Sequence, residues 1–164
     1  MLLGVISDTH DNLPMVERAA ILFAEQGVDA ILHAGDFVAP FALKALLQSG
    51  LPVTGVFGNN DGERAGLARL CEGLHESPYR LDLGGRAVVL AHAPEDLVGP
   101  ACDGADVLIH GHTHKLLVEQ GSPLVLNPGE AGGWLTGRCT AAVLDLDALS
   151  VEIIELGPQS TVKL

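Results

Sequence analysis

Seven side chains with oxygen or nitrogen donor atoms stand in five short groups of this sequence. Asp8-Thr9-His10 and Gly111-His112-Thr113-His114 each place two donors two residues apart. Between them come Gly35-Asp36, Gly58-Asn59-Asn60-Asp61 and the single His92. Each group follows an apolar run, and open α/β sheets place their ligand-binding residues at such strand ends. The set predicts a site for two metal ions, with the ligands Asp8, His10, Asp36, Asn59, His92, His112 and His114.

Taken singly, most of these groups have a simpler explanation. Asp8-Thr9-His10 is equally compatible with a helix-capping aspartate beside a polar histidine, and Gly35-Asp36 with a turn. Alone, Gly58-Asn59-Asn60-Asp61 favours a turn, because these residue types dominate turns. The two imidazoles of Gly111-His112-Thr113-His114 favour a metal, since partly buried imidazoles are costly unless something coordinates or hydrogen-bonds them. The ordered combination makes coincidence a poor explanation.

This ligand set suits the hydrolysis of a phosphate ester. Two divalent ions about 3.5–4 Å apart can clamp a phosphoryl group and activate a bridging water. Carboxylates mixed with imidazoles suit Mn²⁺, which we expect, and also Ni²⁺, Co²⁺, Fe²⁺ or Zn²⁺. Two such ions bring about +4 and the carboxylates of Asp8 and Asp36 bring about −2, so the site attracts a phosphate ester.

The spacing of apolar residues predicts the elements that position these groups. Leu2–Ile6 reads as a strand covered on both faces, and Asp11 or Asn12 is expected to cap the following helix, which Gly27 ends. Alternation of strand and helix predicts a parallel first half, and a hairpin at 79–91 begins a more antiparallel second half. We expect one α/β domain, residues 1–164, with further strands at 30–33, 53–57, 107–109, 116–119, 124–126, 140–146 and 151–156 and helices at 40–48 and 64–74.

Composition excludes several classes of function. The chain has 164 residues, of which 48% are hydrophobic and 18% charged, so it is expected to fold. Its net charge of −12 repels polyanions and anionic membranes, which argues against nucleic acid as a partner. Cys71, Cys102 and Cys139 show no metal-type spacing, which favours reduced thiols in the cytoplasm. No signal peptide or membrane span is expected.

The motifs Asp-x-His, Gly-Asp, Gly-Asn-x-Asp, His and Gly-His-x-His, in this order, resemble the signature of the calcineurin-like metallophosphoesterases. The short length and Asn127-Pro128-Gly129 resemble the small phosphodiesterase branch, which includes the retromer vacuolar-sorting subunit. The resemblance implies a two-sheet β-sandwich flanked by helices, in four α/β/β/α layers, and by analogy a homodimer. It implies that a metal-bound hydroxide attacks phosphorus in line. It also implies one metal on Asp8, His10, Asp36 and His114, and another on Asp36, Asn59, His92 and His112, with Asp36 bridging.

Some positions depart from the family pattern. Many relatives with phosphomonoesterase activity have His directly after the motif asparagine, where this chain has Asn60. An amide cannot donate a proton to the leaving group, so we expect a preference for diesters or for good leaving groups. Asn60 can still donate a hydrogen bond, and phosphate contact or orientation is assigned to Asn60 and Asp61. Glu130 stands where relatives often have Ser, and no role is assigned to it.

A few other side chains leave two interpretations open. His33 and His110 are partners behind the ligands or, more simply, satisfied core histidines, whereas His75 reads as an ordinary exposed residue. In one interpretation, Trp134 and Arg138 overhang the cleft and touch the substrate. In the other, Trp134 is a partly buried anchor and Arg138 is a solvated surface charge.

The function predicted from these observations is a metal-dependent phosphodiesterase acting on a small-molecule phosphate ester. A phosphomonoesterase acting on a small metabolite is the second enzymatic interpretation. A weakly catalytic protein-interaction scaffold is the rival from another class, but such a scaffold would be expected to lack ligands, and here the set is complete. A purely structural metal site fits less well, because both proposed metals keep open positions.

Overall fold

The computed structural model describes residues 1–158, in which two β-sheets pack face to face and α-helices cover one of them. Within this range the three α-helices are α1 (Leu13–Gln26), α2 (Pro40–Leu47) and α3 (Arg64–Leu70). The strands are β1 (Leu2–Ile6), β2 (Ala30–His33), β3 (Val53–Val56), β4 (Leu74–His75), β5 (Tyr79–Leu83), β6 (Arg86–Leu90), β7 (Val107–Ile109), β8 (Leu117–Glu119), β9 (Leu124–Asn127), β10 (Arg138–Asp145) and β11 (Ser150–Pro158).

The first sheet has the strand order β11-β10-β1-β2-β3-β4, and the second has the order β5-β6-β7-β9-β8. Strands β1 to β4 run parallel, as the alternating pattern predicted, and β10 and β11 continue that sheet antiparallel. In the second sheet β6, β7 and β9 are also parallel, and only the edge strands β5 and β8 are antiparallel. The second half is thus more antiparallel than the first, as expected, but its centre is parallel, and the connections there are long enough for crossovers.

Strand β1 is buried on both faces and separates two hydrophobic cores. Leu3 and Val5 point into the core between the two sheets, and Ile6 points into the core beneath the helices. Gly4 lies against the helices, since a Cβ there would come within 2.8 Å of the Phe23 ring of α1. Each such fully buried side chain contributes about 1.5–3 kcal/mol. The packing fixes the carboxyl end of β1, from which the first candidate ligands project.

A thin helical layer covers part of the outer face of the second sheet. Arg80 of β5 points away from the inter-sheet core and donates two hydrogen bonds of 2.9 Å to the carbonyls of Ala101 and Asp103. Ala101 lies within the 3₁₀-helix Pro100–Cys102, and Asp103 directly follows it. The expected two-sheet sandwich flanked by helices is confirmed, with 3₁₀ rather than α-helix on this side. No helix within residues 1–158 is long and apolar enough to cross a bilayer.

Two local predictions are wrong. The helix expected at 64–74 ends at Leu70, and the chain then becomes extended at Cys71 and forms β4. Gly73 permits this, because its carbonyl accepts a 2.9 Å hydrogen bond from Gly55 N and a Cβ at Gly73 would overlap the Val53 carbonyl. At the start of α1 Asn12 occupies the cap position but makes no capping hydrogen bond.

Candidate metal centre

All seven predicted ligands meet where strands of the two sheets end. Asp8 and His10 follow β1, Asp36 follows β2, and Asn59 follows β3. On the second sheet His92 follows β6, and His112 and His114 follow β7. Ile6 pairs with His33 of β2, and Leu90 pairs with Ile109 of β7, so the parallel strands bring these loops to one edge.

One cluster joins Asp8, His10 and His114. Nε2 of His114 lies 3.5 Å from Oδ1 of Asp8, and Nε2 of His10 lies 3.9 Å from the same oxygen. The two imidazoles are stacked, with ring centroids 5.2 Å apart. Asp8 is fully buried, and burial raises the pKa of its carboxyl, a shift that the Ser7 hydrogen bond and the nearby His114 and His92 partly offset. Two imidazole nitrogens thus converge on a buried carboxylate oxygen, which gives a group of three potential ligand atoms.

A second cluster joins Asn59, His92 and His112 and opens to solvent. Oδ1 of Asn59 lies 2.8 Å from Nε2 of His92 and 3.0 Å from Nδ1 of His112, and the two ring nitrogens are 3.2 Å apart. Nδ1 of His92 lies 2.8 Å from the Ala34 carbonyl, which assigns the ring proton to Nδ1. Nε2 of His92 therefore turns a lone pair toward an amide oxygen that also has only lone pairs to offer.

Asp36 lies between the two clusters. Its Oδ2 is 3.5 Å from Nε2 of His10, and its Oδ1 is 3.5 Å from Nε2 of His92. Asp36 is 1% exposed. One carboxylate thus turns one oxygen toward each donor set, which is the position that a bridging ligand requires.

Hydrogen bonding tests whether these residues suit a cation. Within residues 1–158, three buried side-chain atoms have no hydrogen-bond partner: Asp8 Oδ1, His10 Nε2 and His114 Nδ1. All three belong to predicted ligands. Asp8 Oδ1 and His10 Nε2 face each other at 3.9 Å, whereas His114 Nδ1 faces Glu130. Buried polar groups are normally satisfied, and a cation between Asp8 and His10 would complete the two atoms that face each other. The donor set of carboxylates, imidazoles and one amide oxygen fits two divalent ions.

Five of the seven predicted ligands have left-handed backbone conformations. The φ angles are 53° at Asp8, 41° at His10, 61° at Asp36, 64° at His112 and 58° at His114. Such conformations cost about 1–3 kcal/mol each in non-glycine residues and concentrate at functional sites. Local sequence preference alone does not produce this backbone, and the tertiary contacts of the two sheets must hold it.

Asp61 and Asn60 hold Asp36 in place. The Asp61 carboxylate is buried and accepts backbone hydrogen bonds from Asp36 N (3.1 Å), Val38 N (2.7 Å) and Gly58 N (2.7 Å). Its oxygens are taken up by these donors, which favours orientation over phosphate contact. Asn60 donates to Asp36 twice, from its backbone N (2.8 Å) and from Nδ2 (2.7 Å), while its exposed side chain still borders the cavity described below.

Two glycines let the loops approach one another. A Cβ at Gly58 would overlap Asp36 Oδ1, and a Cβ at Gly111 would overlap Ser7 Oγ and lie 2.6 Å from Asp8 Oδ2. Ser7 Oγ and the backbone N of His112 both donate to Asp8 Oδ2, at 2.6 and 3.1 Å. The glycines in the Gly-Asn and Gly-His motifs are thus required by packing against carboxylates.

Glu130 has a structural role that the sequence did not reveal. It is buried, and its carboxylate accepts hydrogen bonds from Leu135 N and from both N and Oγ1 of Thr136. Oε1 also lies 3.1 Å from Nδ1 of His114, near enough for electrostatic attraction although not aligned as a hydrogen bond. Burial raises the pKa of Glu130, but the hydrogen bonds from Thr136 and Leu135, helped by His114, outweigh it and leave the pKa below its ordinary value.

The other histidines differ in their surroundings. His33 is fully buried and stacked on Phe37, accepts from Gly35 N at Nδ1 and contacts Thr9 Oγ1 at Nε2. Burial, followed by the charges of His92 and His10, lowers its pKa well below 6.5. His110 lies 3.2 Å from Asn127, whose Nδ2 also donates to Gly111 and Thr113.

Three predicted side chains depart from or refine their expectations. His75, expected to be exposed, is partly covered because its ring stacks on Tyr79 with centroids 3.5 Å apart. Arg138 forms an ion pair with Glu155 on the surface. Trp134 borders the site, and its Nε1 donates to the His10 carbonyl at 3.0 Å.

The chain belongs to the calcineurin-like phosphoesterase superfamily, whose domain model matches residues 1–149. It is 33% identical to the phosphodiesterase MJ0936 of Methanocaldococcus jannaschii over 156 residues, covering 90% of this chain and 94% of that protein. The protein is accordingly a metallophosphoesterase, a hydrolase of a family that uses divalent metal ions.

Solved structures agree with this placement. An archaeal phosphodiesterase superposes with a TM-score of 0.85 at 32% identity and covers 94% of this chain and 99% of its own. Vacuolar protein sorting 29 from Cryptosporidium parvum superposes with a TM-score of 0.63 at 21% identity, covering 94% of this chain and 95% of its own. The second likeness shows a shared fold, as expected from the resemblance to the retromer subunit.

Proposed function

We propose that this protein is a phosphodiesterase that uses two divalent ions, with Mn²⁺ as the expected metal, to hydrolyse small phosphate diesters in the cytoplasm. The observation that supports it most is the position of Asp36, whose two carboxylate oxygens each lie 3.5 Å from an imidazole nitrogen of a different cluster. The name of the archaeal relative, a phosphodiesterase, points to the same reaction.

The proposed ligand sets follow the two clusters. Asp8, His10 and His114 would hold one ion, Asn59, His92 and His112 the other, and Asp36 would contact both. When bound, such ions supply a water of lowered pKa as nucleophile and neutralise charge on the phosphoryl oxygens. The protein's part is to keep the ligand atoms in place, through Asp61 and Asn60 at Asp36 and through Ser7 at Asp8.

The preference for diesters rests on what surrounds the site. Asn60 borders the adjoining cavity and, being an amide, cannot protonate a leaving group. Within residues 1–158 no Lys or Arg lines that cavity, whereas Asp11 and Glu130 do. A phosphomonoester dianion would be repelled more strongly by these carboxylates than a singly charged diester.

The test compares metal-stripped protein against bis-p-nitrophenyl phosphate and p-nitrophenyl phosphate, restoring Mn²⁺, Ni²⁺, Co²⁺, Zn²⁺ or Mg²⁺ singly. We expect metal-dependent diester cleavage that exceeds monoester cleavage. Asp36→Asn and His114→Ala should each fall below about one hundredth of the wild-type rate while circular dichroism shows a retained fold. Asp82→Asn, an exposed aspartate on β5, is the matched control. Turnover retained in either ligand variant, or silence with every metal, would reject the proposal.

A further inference from the structure

A cavity of about 410 Å³ adjoins the first donor cluster and has two unlike walls. One wall is polar and belongs to the site, and the other consists of the apolar side chains Val38, Trp134 and Leu135. The cavity borders His10 and His114 but not His92 or His112, so it lies to one side of the ligand set.

The apolar wall of the cavity is largely exposed to solvent. The exposed fraction is 59% for Trp134 and 79% for Leu135, and the two residues are adjacent. Scattered exposed apolar residues need no explanation, but a cluster that faces a polar site is typical of a ligand pocket. An indole presents a flat face on which a planar ring can stack.

The segment that presents Trp134 is held from several sides. The indole Nε1 donates to the His10 carbonyl, and Asn12 Nδ2 donates to the Gly132 carbonyl at 2.7 Å. Beyond the indole, the Glu130 carboxylate accepts from Leu135 N and Thr136 N. A side chain fixed in this way loses little conformational entropy when a ligand binds, which favours affinity.

Charge around the cavity limits what can bind there. Asp11 lines it, and Asp11 Oδ1 accepts from Ala39 N at 3.0 Å, which holds the carboxylate at the wall. Glu130 adds a second carboxylate and no cationic side chain lines the cavity, among the residues that the structure describes. A ligand group with a negative charge of its own is therefore disfavoured, and an uncharged group is accepted.

We propose that this cavity binds a flat, uncharged aromatic ring of a phosphodiester substrate. The ring belongs to the alcohol that stays bonded to phosphorus after cleavage. It stacks on Trp134 and packs against Leu135 and Val38. The inference rests on the proposed phosphodiesterase function and names the class of diester that this site prefers. Aryl rings and nucleobases share this chemistry.

The first experiment measures binding without turnover. Trp134 is the only tryptophan in the chain, so its fluorescence reports on this cavity alone. Protein loaded with Zn²⁺ is titrated with diphenyl phosphate and with diethyl phosphate, which have the same charge. We expect a saturable fluorescence change with diphenyl phosphate at a concentration about threefold to tenfold lower than with diethyl phosphate. Equal responses, or none, would overturn the inference whether or not the enzyme hydrolyses diesters.

The second experiment uses esters with one leaving group. Phenyl, methyl and thymidine-5′ esters of p-nitrophenyl phosphate all release p-nitrophenol. Trp134→Ala should reduce the preference for phenyl over methyl in kcat/KM by about threefold to tenfold, and Trp134→Phe should restore most of it. Preference for the thymidine ester over the phenyl ester would identify nucleobases as the better ring, and the reverse would identify aryl groups.

A matched pair of variants separates the pocket from general surface effects. Leu135→Ala lies in the cavity wall and should weaken the phenyl preference, whereas Leu70→Ala removes an equally apolar exposed side chain on α3, away from the cavity, and should leave it unchanged. If Trp134→Ala slows the phenyl and methyl esters equally, the ring-binding role fails while the phosphodiesterase assignment stands. If no ester is cleaved with any metal, the proposed function fails. The fluorescence titration then still tests whether the cavity binds an aromatic ring.

Discussion

Replacing Glu130 with glutamine should weaken both the fold and the metal site, although Glu130 does not belong to the predicted ligand set. The carboxylate accepts from Leu135 N at 3.0 Å, from Thr136 N at 2.9 Å and from Thr136 Oγ1 at 2.9 Å. Whichever way the glutamine amide is turned, its NH₂ group faces at least one of these donors or His114 Nδ1. A buried donor left without an acceptor costs about 1–3 kcal/mol, and the charge assistance is lost as well.

We therefore expect Glu130→Gln to lower the free energy of unfolding by about 2–3 kcal/mol. For a chain of this length that is a decrease of about 4–12 °C in Tm. Metal affinity should weaken about 10- to 100-fold, because His114 loses the carboxylate behind it. Urea unfolding and calorimetric titration with Mn²⁺ measure the two effects. Glu155→Gln, an exposed glutamate paired with Arg138, is the control and should change stability by less than about 1 kcal/mol.

The pH dependence checks the same reasoning. The pKa of Glu130 is below its ordinary value of 4.5, so the ionised carboxylate stabilises the folded state above that value. This contribution is lost as the pH falls through the lowered pKa, because the folded state then takes up the proton. The gap in stability between wild type and Glu130→Gln should thus be full at neutral pH and close in acid. Equal unfolding midpoints and equal Mn²⁺ affinities at neutral pH would refute the argument.

Three other substitutions test separate parts of the site. Gly58→Ala places a Cβ against Asp36 Oδ1, and should reduce metal-dependent turnover at least about tenfold, as measured beside Gly62→Ala, where a Cβ meets no neighbour. Asn60→His supplies a titratable donor, and should raise monoester over diester turnover at least about tenfold; an unchanged ratio would contradict the role given to Asn60. The pKa of His33 is lowered in the folded state, so below pH 6.5 the unfolded state binds more protons than the folded state. Acidification should therefore destabilise metal-stripped wild type more than metal-stripped His33→Gln, by up to about 1.4 kcal/mol per pH unit. Urea unfolding at several pH values measures this difference.

The sequence predicted the meeting of the ligands because the evidence for it is local. Each donor group follows an apolar run, and neighbouring parallel strands end at one edge of their sheet, so Asp8 and Asp36 had to lie near each other. His92 follows β6 of the second sheet, and its approach to Asp36 depends on how the two sheets pack. The strand pattern could not reveal that β6, β7 and β9 run parallel, since the segments between them lack the long helical periodicity that signals a crossover. Two short 3₁₀-helices lie between β6 and β7, and the edge strand β8 lies between β7 and β9.

Glu130 shows why part of the site could not be predicted from the sequence. A lone glutamate after Asn127-Pro128-Gly129 has no characteristic spacing, and its partners are backbone N–H groups of Leu135 and Thr136 that every sequence contains. Asp61 was identified by its motif, but its role as an orienting group and not a phosphate contact follows from three backbone donors that β2 and β3 bring together. Short motifs contain the groups that would contact metal or substrate, and the contacts that hold these groups in place exist only in the folded chain.

The geometry of the site also links metal binding to folding. Five predicted ligands have left-handed backbone, and the buried atoms Asp8 Oδ1 and His10 Nε2 lack hydrogen-bond partners within residues 1–158, so the protein alone holds these groups at a cost. A cation that binds only the folded arrangement returns part of that free energy, by about 2.7 kcal/mol when its concentration is 100 times Kd. Because Asp36 faces both clusters, an ion in one cluster would order a ligand of the other. The carboxylate that would bridge the proposed ions is thus the residue through which their binding would be coupled to each other and to the stability of the surrounding loops.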